Sequence, residues 1–190
     1  MPDVLFIDTE TGGLNPDIHP LLEVGWALVE GEAVTRQGAF YLKGEHGAAT
    51  PEALAKNGLD LEVVNVRGLE PRHAWKTLLA EVSHLSRPPR FGGYNTPFDR
   101  SFLLKLELRA LEDDPSHPDL TAPARADVDL RPVVSFLKGL GLIRMKDGTL
   151  SEAYQAVTGE QHVGAHRALA DALATARMYL ELKKRLTLLP

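Results

Sequence analysis

The chain of 190 residues contains no cysteine, which excludes a disulfide framework and any thiolate metal site. No run approaches the roughly 18 consecutive apolar residues of a membrane-spanning helix. The N-terminus MPDVLFIDTE also lacks the basic start and long apolar stretch of a signal peptide. A cytoplasmic protein with no membrane association is the expectation. An excess of basic charge is missing too. With 21 Lys and Arg against 26 Asp and Glu, the formal net charge is −5, which argues against a simple basic nucleic-acid binder. That exclusion weakens if the acids hold metal, because two divalent cations would nearly cancel the balance. Low hydrophobicity is not among the deficits. Hydrophobic residues at 44% and charged residues at 25% exclude wholesale disorder, and the length suits one sizeable core. With no internal repeat and no break in composition, residues 1–190 are expected to form a single domain, with its catalytic core at about 3–182.

DVLFID is rich in Val, Ile, Leu and Phe and predicts a buried strand, and TGGLNPDIHP after it a loop. Two apolar runs around EGEA in LLEVGWALVEGEAVTRQGAFYLK predict a hairpin. TPEALAKNG predicts a short helix capped by Thr50, with Pro51 at its first position and Gly58 past its end. A longer helix over PRHAWKTLLAEVSHL would bury Ala74, Leu78, Leu79, Val82 and Leu85. After the short strand PRFGGYN, Thr96 and Pro97 open another helix. The acidic, Pro-rich stretch at 112–125 predicts a surface loop. ADVDL suggests a short strand and RPVVSFLKGLGL a helix. TLSEAYQAVTG has the capping box of Thr149 and Glu152, and AHRALADALATARMYLELKKRL is a long final helix. Strands first as a meander, then alternating with helices, predict an α/β domain with a mixed sheet and a site at the strand ends.

Three stretches carry candidate chemistry. In FIDTETGG, Asp8 and Glu10 stand two apart and would point to one side of a strand, and Gly12–Gly13 would allow close approach of a ligand to the backbone. Acid-x-acid is common at strand ends, so the pair alone does not separate an ordinary polar strand end from half a metal site. In GYNTPFDRSFL, Asp99 lies in a first helical turn, where an acid also suits the helix dipole. In AHRALADALATA, His166 precedes Asp171 by five positions, and the small side chains let that helix approach a neighbour closely. Taken singly, His166 also fits a histidine at a helix start and Asp171 a solvated acid.

Together the three stretches resemble the motifs of the DEDDh (DnaQ-like) 3′–5′ exonuclease family. The pattern D-x-E-T-x-G is matched by DTETGG, N-x-x-F-D by Asn95 to Asp99, and H-x-x-x-x-D by His166 and Asp171; LAKNGLD is similar to a further segment of the family. The tyrosine class of these enzymes has Tyr four residues before the last Asp, where this chain has Arg167. The resemblance implies a ribonuclease H-like fold, a mixed five-stranded sheet flanked by helices. It implies that Asp8, Glu10, Asp99 and Asp171 hold two divalent cations, Mg²⁺ or Mn²⁺, and that His166 is the general base. It implies that Thr11, Gly12, Leu14 and Asn95 meet the terminal nucleotide. The activity implied is hydrolysis of a single strand from its 3′ end, on DNA, with an exoribonuclease of the ribonuclease T or oligoribonuclease type as the alternative. Phe98 reads as core, and Arg100, Arg131 and Arg167 as solvated charge within reach of phosphates. Asp127 and Asp129 are not placed in the site. Partners open to such a chain include a DNA polymerase, with a proofreading role, a sliding clamp through the tail KRLTLLP, and a second copy of itself.

Overall fold

The alternation of side chains along the first strand organises the fold. In the computed structural model, which describes residues 2–44, 46–111 and 127–187, β1 (Val4–Thr11) sends Leu5 and Ile7 into one core and Val4 and Phe6 into another. All four are at most 2% exposed, so both faces of this strand are covered and its sequence is a continuous apolar run, as a central strand requires. It pairs antiparallel with β2 (Leu21–Glu30), which pairs antiparallel with β3 (Ala33–Tyr41). On its other side β1 pairs parallel with β4 (Arg90–Gly93), and β4 with β5 (Val128–Asp129). The sheet order is β3-β2-β1-β4-β5, the mixed five-stranded sheet flanked by helices that the resemblance implies.

One face is covered by α3 (Pro71–Val82) and α4 (Thr96–Ala110), through Ala74, Trp75, Leu78, Leu103 and Leu106. The other is covered by α5 (Leu130–Gly139), α6 (Leu150–Thr158) and α7 (Ala168–Thr187), through Val134, Ala153, Tyr154, Ala174 and Met178. The predicted α3 stripe holds at Ala74, Leu78 and Val82, but Leu79 and Leu85 are only partly buried and Trp75 fills the core instead. The short α1 (Pro51–Asn57) begins at Thr50, whose hydroxyl accepts from the Ala53 N–H, and ends at Gly58 in left-handed conformation. Thr149 likewise caps α6, accepting from the Glu152 N–H. A helix not anticipated from the sequence, α2 (Leu61–Arg67), follows an Asp60 cap. The cap of α4 is Asn95 rather than Thr96. The stretch 112–126 and the end of the tail, 188–190, lie outside the described residues, and with them the expected loop and the last part of the candidate clamp motif.

The small residues of α7 bring it unusually near the sheet. Ala168, Ala172 and Ala176 are fully buried, and a Cβ placed on Gly25 of β2 would lie 2.2 Å from the Ala168 carbonyl carbon and the Leu169 nitrogen. Gly25 is the register partner of Asp8, so the absence of one side chain lets the start of α7 reach the acidic end of β1. Because the obstructing atoms are backbone, they cannot rotate away. We therefore expect Gly25→Ala to cost about 1–3 kcal/mol in urea unfolding, the range of an overpacked core, and to move Asp171. Gly139→Ala, where a Cβ meets nothing within 4 Å, should leave stability unchanged or slightly raised.

Candidate active site

β1 and β4 pair only as far as Phe6 and Gly92. Beyond that point the β1 backbone needs other partners, and α4 supplies one. The Thr9 N–H and hydroxyl both donate to Asp99 Oδ1, at 2.9 and 2.8 Å, and Asp99 is 3% exposed. Asp8 and Glu10 continue the even-numbered side of β1, the side that packs on α7. There Asp171, in the first turn of α7, completes the set: Asp8, Glu10 and Asp171 each offer a carboxylate oxygen, all within 4.8 Å of one another. Two helices from opposite layers thus deliver their acids to the carboxyl end of one strand. Asp8, Glu10, Asp99 and Asp171, far apart in the sequence, come together.

His166 lies at the same place by its backbone. Its N–H donates to Asp171 Oδ2 at 3.3 Å, and it holds φ +66°, a left-handed conformation that non-glycine residues rarely adopt. Its side chain is exposed. Asn95 holds φ +81° on the opposite flank. Its N–H donates to Asp129 Oδ1 and the Thr96 N–H to Asp129 Oδ2, so Asp129 shapes the turn into α4 and is not brought into the acid cluster.

Burial dominates the electrostatics, and neighbouring acids add to it at Asp8 and Glu10. Burial raises Asp8 well above the usual carboxylate range, and Asp99, Asp171, Glu10 and Glu23 raise it further. Glu10 is pushed up to about 8 by burial, then by Asp171 and Glu23. Burial lifts Asp99 to about 7 against the two Thr9 hydrogen bonds, and Asp171 to about 6 against the His166 backbone. Converging carboxylates with no thiolate among the chain's residues are the donor set of a hard divalent cation. The residues fit such an ion, which would remove the repulsion that raises their proton affinity.

Glu23, Lys56 and His162 shape the site without having been singled out from the sequence, and Arg167, expected as solvated charge, is bound to Glu23 and Tyr41 instead. Glu23 is 4% exposed and stands directly across from Glu10 in the β1–β2 register, a like-charge pair that is unfavourable unless compensated. Arg167 compensates it, donating from Nε and an Nη to the two Glu23 oxygens at 3.3 and 3.2 Å and from an Nη to Tyr41 at 2.6 Å. Lys56 lowers the proton affinity of Glu10 and Asp171. His162 is also at the cluster, its Nε2 3.1 Å from Asp171 Oδ1. None of these has a local signal. Each acts through a register or a loop crossing that chain order does not encode.

Beside the acids opens a cavity of about 460 Å³, lined by Glu10, Thr11, Gly13, Leu14, Lys56 and Phe98, among others. Leu14 at its rim is 83% exposed. Phe98 lines the cavity and packs at a tilt against Phe102, ring centroids 5.1 Å apart, so it is not the core residue expected. The Thr11 hydroxyl donates to the Gly13 carbonyl at 2.6 Å, and the Thr11 carbonyl accepts from Asn57 Nδ2. Both glycines are required by the packing of this turn. A Cβ on Gly12 would meet Pro20 and Ala49, and one on Gly13 the His19 ring, all under 3 Å. Gly12 itself donates to the Pro20 carbonyl and accepts from the Thr50 N–H. Arg100 pairs with Asp127 and lies over the Phe91 ring, so these two are structural. The Tyr94 hydroxyl donates to the Gly148 carbonyl.

The raised pKa values fix a sign for stability. An acid whose folded pKa lies above its unfolded value binds protons more tightly when folded, so its contribution is fully present below the unfolded carboxylate range and is lost as pH rises through the folded value. With folded values near 6, 7 and 8, the protein in EDTA should melt at a lower temperature at pH 8.5 than at pH 6. Saturating Mn²⁺ should raise the melting temperature more at pH 8.5 than at pH 6. Calorimetric scans at the two pH values check both.

No protein-family model matches the chain. Over 100 residues it is 34% identical to the 3′-5′ DNA exonuclease Cap18 of Escherichia coli, a match covering 51% of this chain and 52% of Cap18. The chain thus spans about half the length of the curated relative it matches. Among solved structures, E. coli exonuclease I with a dT13 oligonucleotide superposes with a TM-score of 0.77 at 22% identity, over 98% of this chain and 42% of that one. Its product-bound form superposes with a TM-score of 0.79 at 20% identity, over 98% of this chain and 44% of that one. The chain has the fold of exonuclease I.

Proposed function

We propose that the chain hydrolyses single-stranded DNA from the 3′ end and releases nucleoside 5′-monophosphates. The observation that carries the reading is the convergence of Asp8, Glu10 and Asp171, with Asp99 locked to Thr9, beside an open cavity at the end of β1. The name of Cap18 and the exonuclease I complexes with dT13 and dA16 support DNA over RNA. Asn57, the centre of the LAKNGLD phrase, is used in holding the Thr11 carbonyl and the Leu59 N–H.

Asp8, Glu10, Asp99 and Asp171 would hold two divalent cations, Mg²⁺ or Mn²⁺. Such ions, when bound, polarise the phosphodiester, lower the pKa of water and stabilise the departing oxygen. His166 takes the proton of the attacking water on a ring nitrogen. An imidazole suits this because its ordinary pKa of about 6.5 lies near neutrality. The water oxygen bonds to phosphorus as the bond from phosphorus to the 3′ oxygen of the preceding nucleotide breaks, so the phosphate leaves on the 5′ side of the released nucleotide. Its exposed ring and fixed backbone let His166 face the water while Asp171 holds its peptide. Thr11 forms part of the cavity wall, Gly12 and Asn95 would meet the terminal nucleotide, and Leu14 with Phe98 offers apolar surface to the terminal bases.

Incubation with labelled single-stranded DNA and matching RNA tests this reading. A ladder shortening from the 3′ end is expected with Mg²⁺ or Mn²⁺ and none with EDTA. Asp8→Ala should abolish it, and His166→Ala should lower kcat by about 10²–10⁴-fold, the usual worth of a general base. Equal cleavage in EDTA would contradict the metal-dependent mechanism, and faster cleavage of RNA would move the substrate to the exoribonuclease class.

A further inference from the structure

The acid set leaves one nearby group without a role. His162 lies in the loop between α6 and α7, and its side chain is 4% exposed. One ring nitrogen, Nδ1, lies 3.0 Å from Ser151 Oγ on α6. When the Ser151 hydroxyl donates to Nδ1, the neutral ring carries its hydrogen on Nε2. Nε2 lies 3.1 Å from Asp171 Oδ1. Neither Nε2 nor Oδ1 has an aligned hydrogen bond, and both atoms are buried. Two buried polar atoms in contact but misaligned are a costly arrangement, and a small rotation of either group relieves it. The other Asp171 oxygen accepts from the His166 N–H. The carboxylate is thus flanked on both sides by the loop that also carries His166.

We propose that His162 is a positioning residue for Asp171: supported by Ser151 and packed on the Tyr154 ring at 5.7 Å, it sets the rotation of the carboxylate toward a divalent cation. The ring cannot take His166's place as base. With 4% of its side chain exposed it has no path to a substrate water, whereas His166 is exposed. The inference rests on reading the four acids as metal ligands. It adds control from α6, an element that contributes no acid to the cluster. Groups that hydrogen-bond a ligating carboxylate typically carry 10–100-fold of the metal affinity.

Titration calorimetry with Mn²⁺ at fixed pH, without nucleic acid, tests the proposal. His162→Ala should bind Mn²⁺ about 10–100-fold more weakly than the unaltered protein, and His162→Gln, which keeps a donor near Nε2, should recover most of the loss. A merely structural histidine would lower the melting temperature in EDTA and leave the affinity alone. A folded His162→Ala protein with unaltered Mn²⁺ affinity, or a Gln variant as weak as the Ala variant, overturns the proposal. If His162→Ala does not fold, Ser151→Ala carries the test. It frees the tautomer and should weaken Mn²⁺ binding by a smaller factor, and unaltered affinity in that variant overturns the proposal equally. The exonuclease reaction fails separately, if the unaltered protein binds Mn²⁺ and leaves DNA intact.

Discussion

Carboxylates held close together repel, and the site at the end of β1 is organised around that repulsion. Two unit charges about 4 Å apart cost roughly 4 kcal/mol at an effective dielectric near 20, so a few such pairs rival the net stability of a domain, about 5–15 kcal/mol. The proton affinities of Asp8, Glu10, Asp99 and Asp171 are raised together, burial acting first on each. Some of the tension is relieved within the chain. Arg167 offsets Glu23, Lys56 eases Glu10 and Asp171, and Thr9 gives two hydrogen bonds to Asp99. The remainder is what a divalent cation would take up, which makes cation affinity and folding stability two readings of the same crowding.

The topology explains why the acids meet there. A strand buried on both faces receives α4 from one layer and α7 from the other, and each helix begins with an acid in its first turn. Close approach is allowed on the α7 side by Gly25 and by Ala168. On the α4 side the early end of the β1–β4 pairing leaves the Thr9 N–H for Asp99. Asn95 and His166, both with positive φ, stand just ahead of these two helices. Conformations of that kind persist where surrounding contacts over-determine them, as they do at functional sites.

Much of this was legible in the sequence because it is local. Strand β1 shows as an apolar run, the caps of α1 and α6 show as Thr50 and Thr149, and the small residues of α7 show as ALADALATA. The acids show as three short motifs in a fixed order. What was not legible depends on register and crossing. Nothing in chain order sets Glu23 against Glu10 or Gly25 against Asp8, and both follow only once β1 and β2 are paired. His162 against Asp171 requires the loop before α7 to fold back, and Phe98 at the cavity depends on the angle at which α4 leaves the sheet. The cap of α4 fell on Asn95 because Asp129, far along the chain, holds the N–H groups of Asn95 and Thr96. The packing need for glycine in the Gly12–Gly13 turn was also not legible: the two residues make room for Pro20, Ala49 and His19.

These observations join in one claim, that the carboxylates at the end of β1 form a divalent-cation site. The groups that support its ligands reach into β2 through Glu23 and into α6 through His162 and Ser151. Anomalous diffraction from crystals of the protein grown with Mn²⁺ tests that claim most directly. A manganese peak bounded by Asp8, Glu10 and Asp171 is expected, lost in crystals of Asp8→Ala. Crystals in which Mn²⁺ leaves this cluster empty, with the four carboxylates still in place, would contradict it.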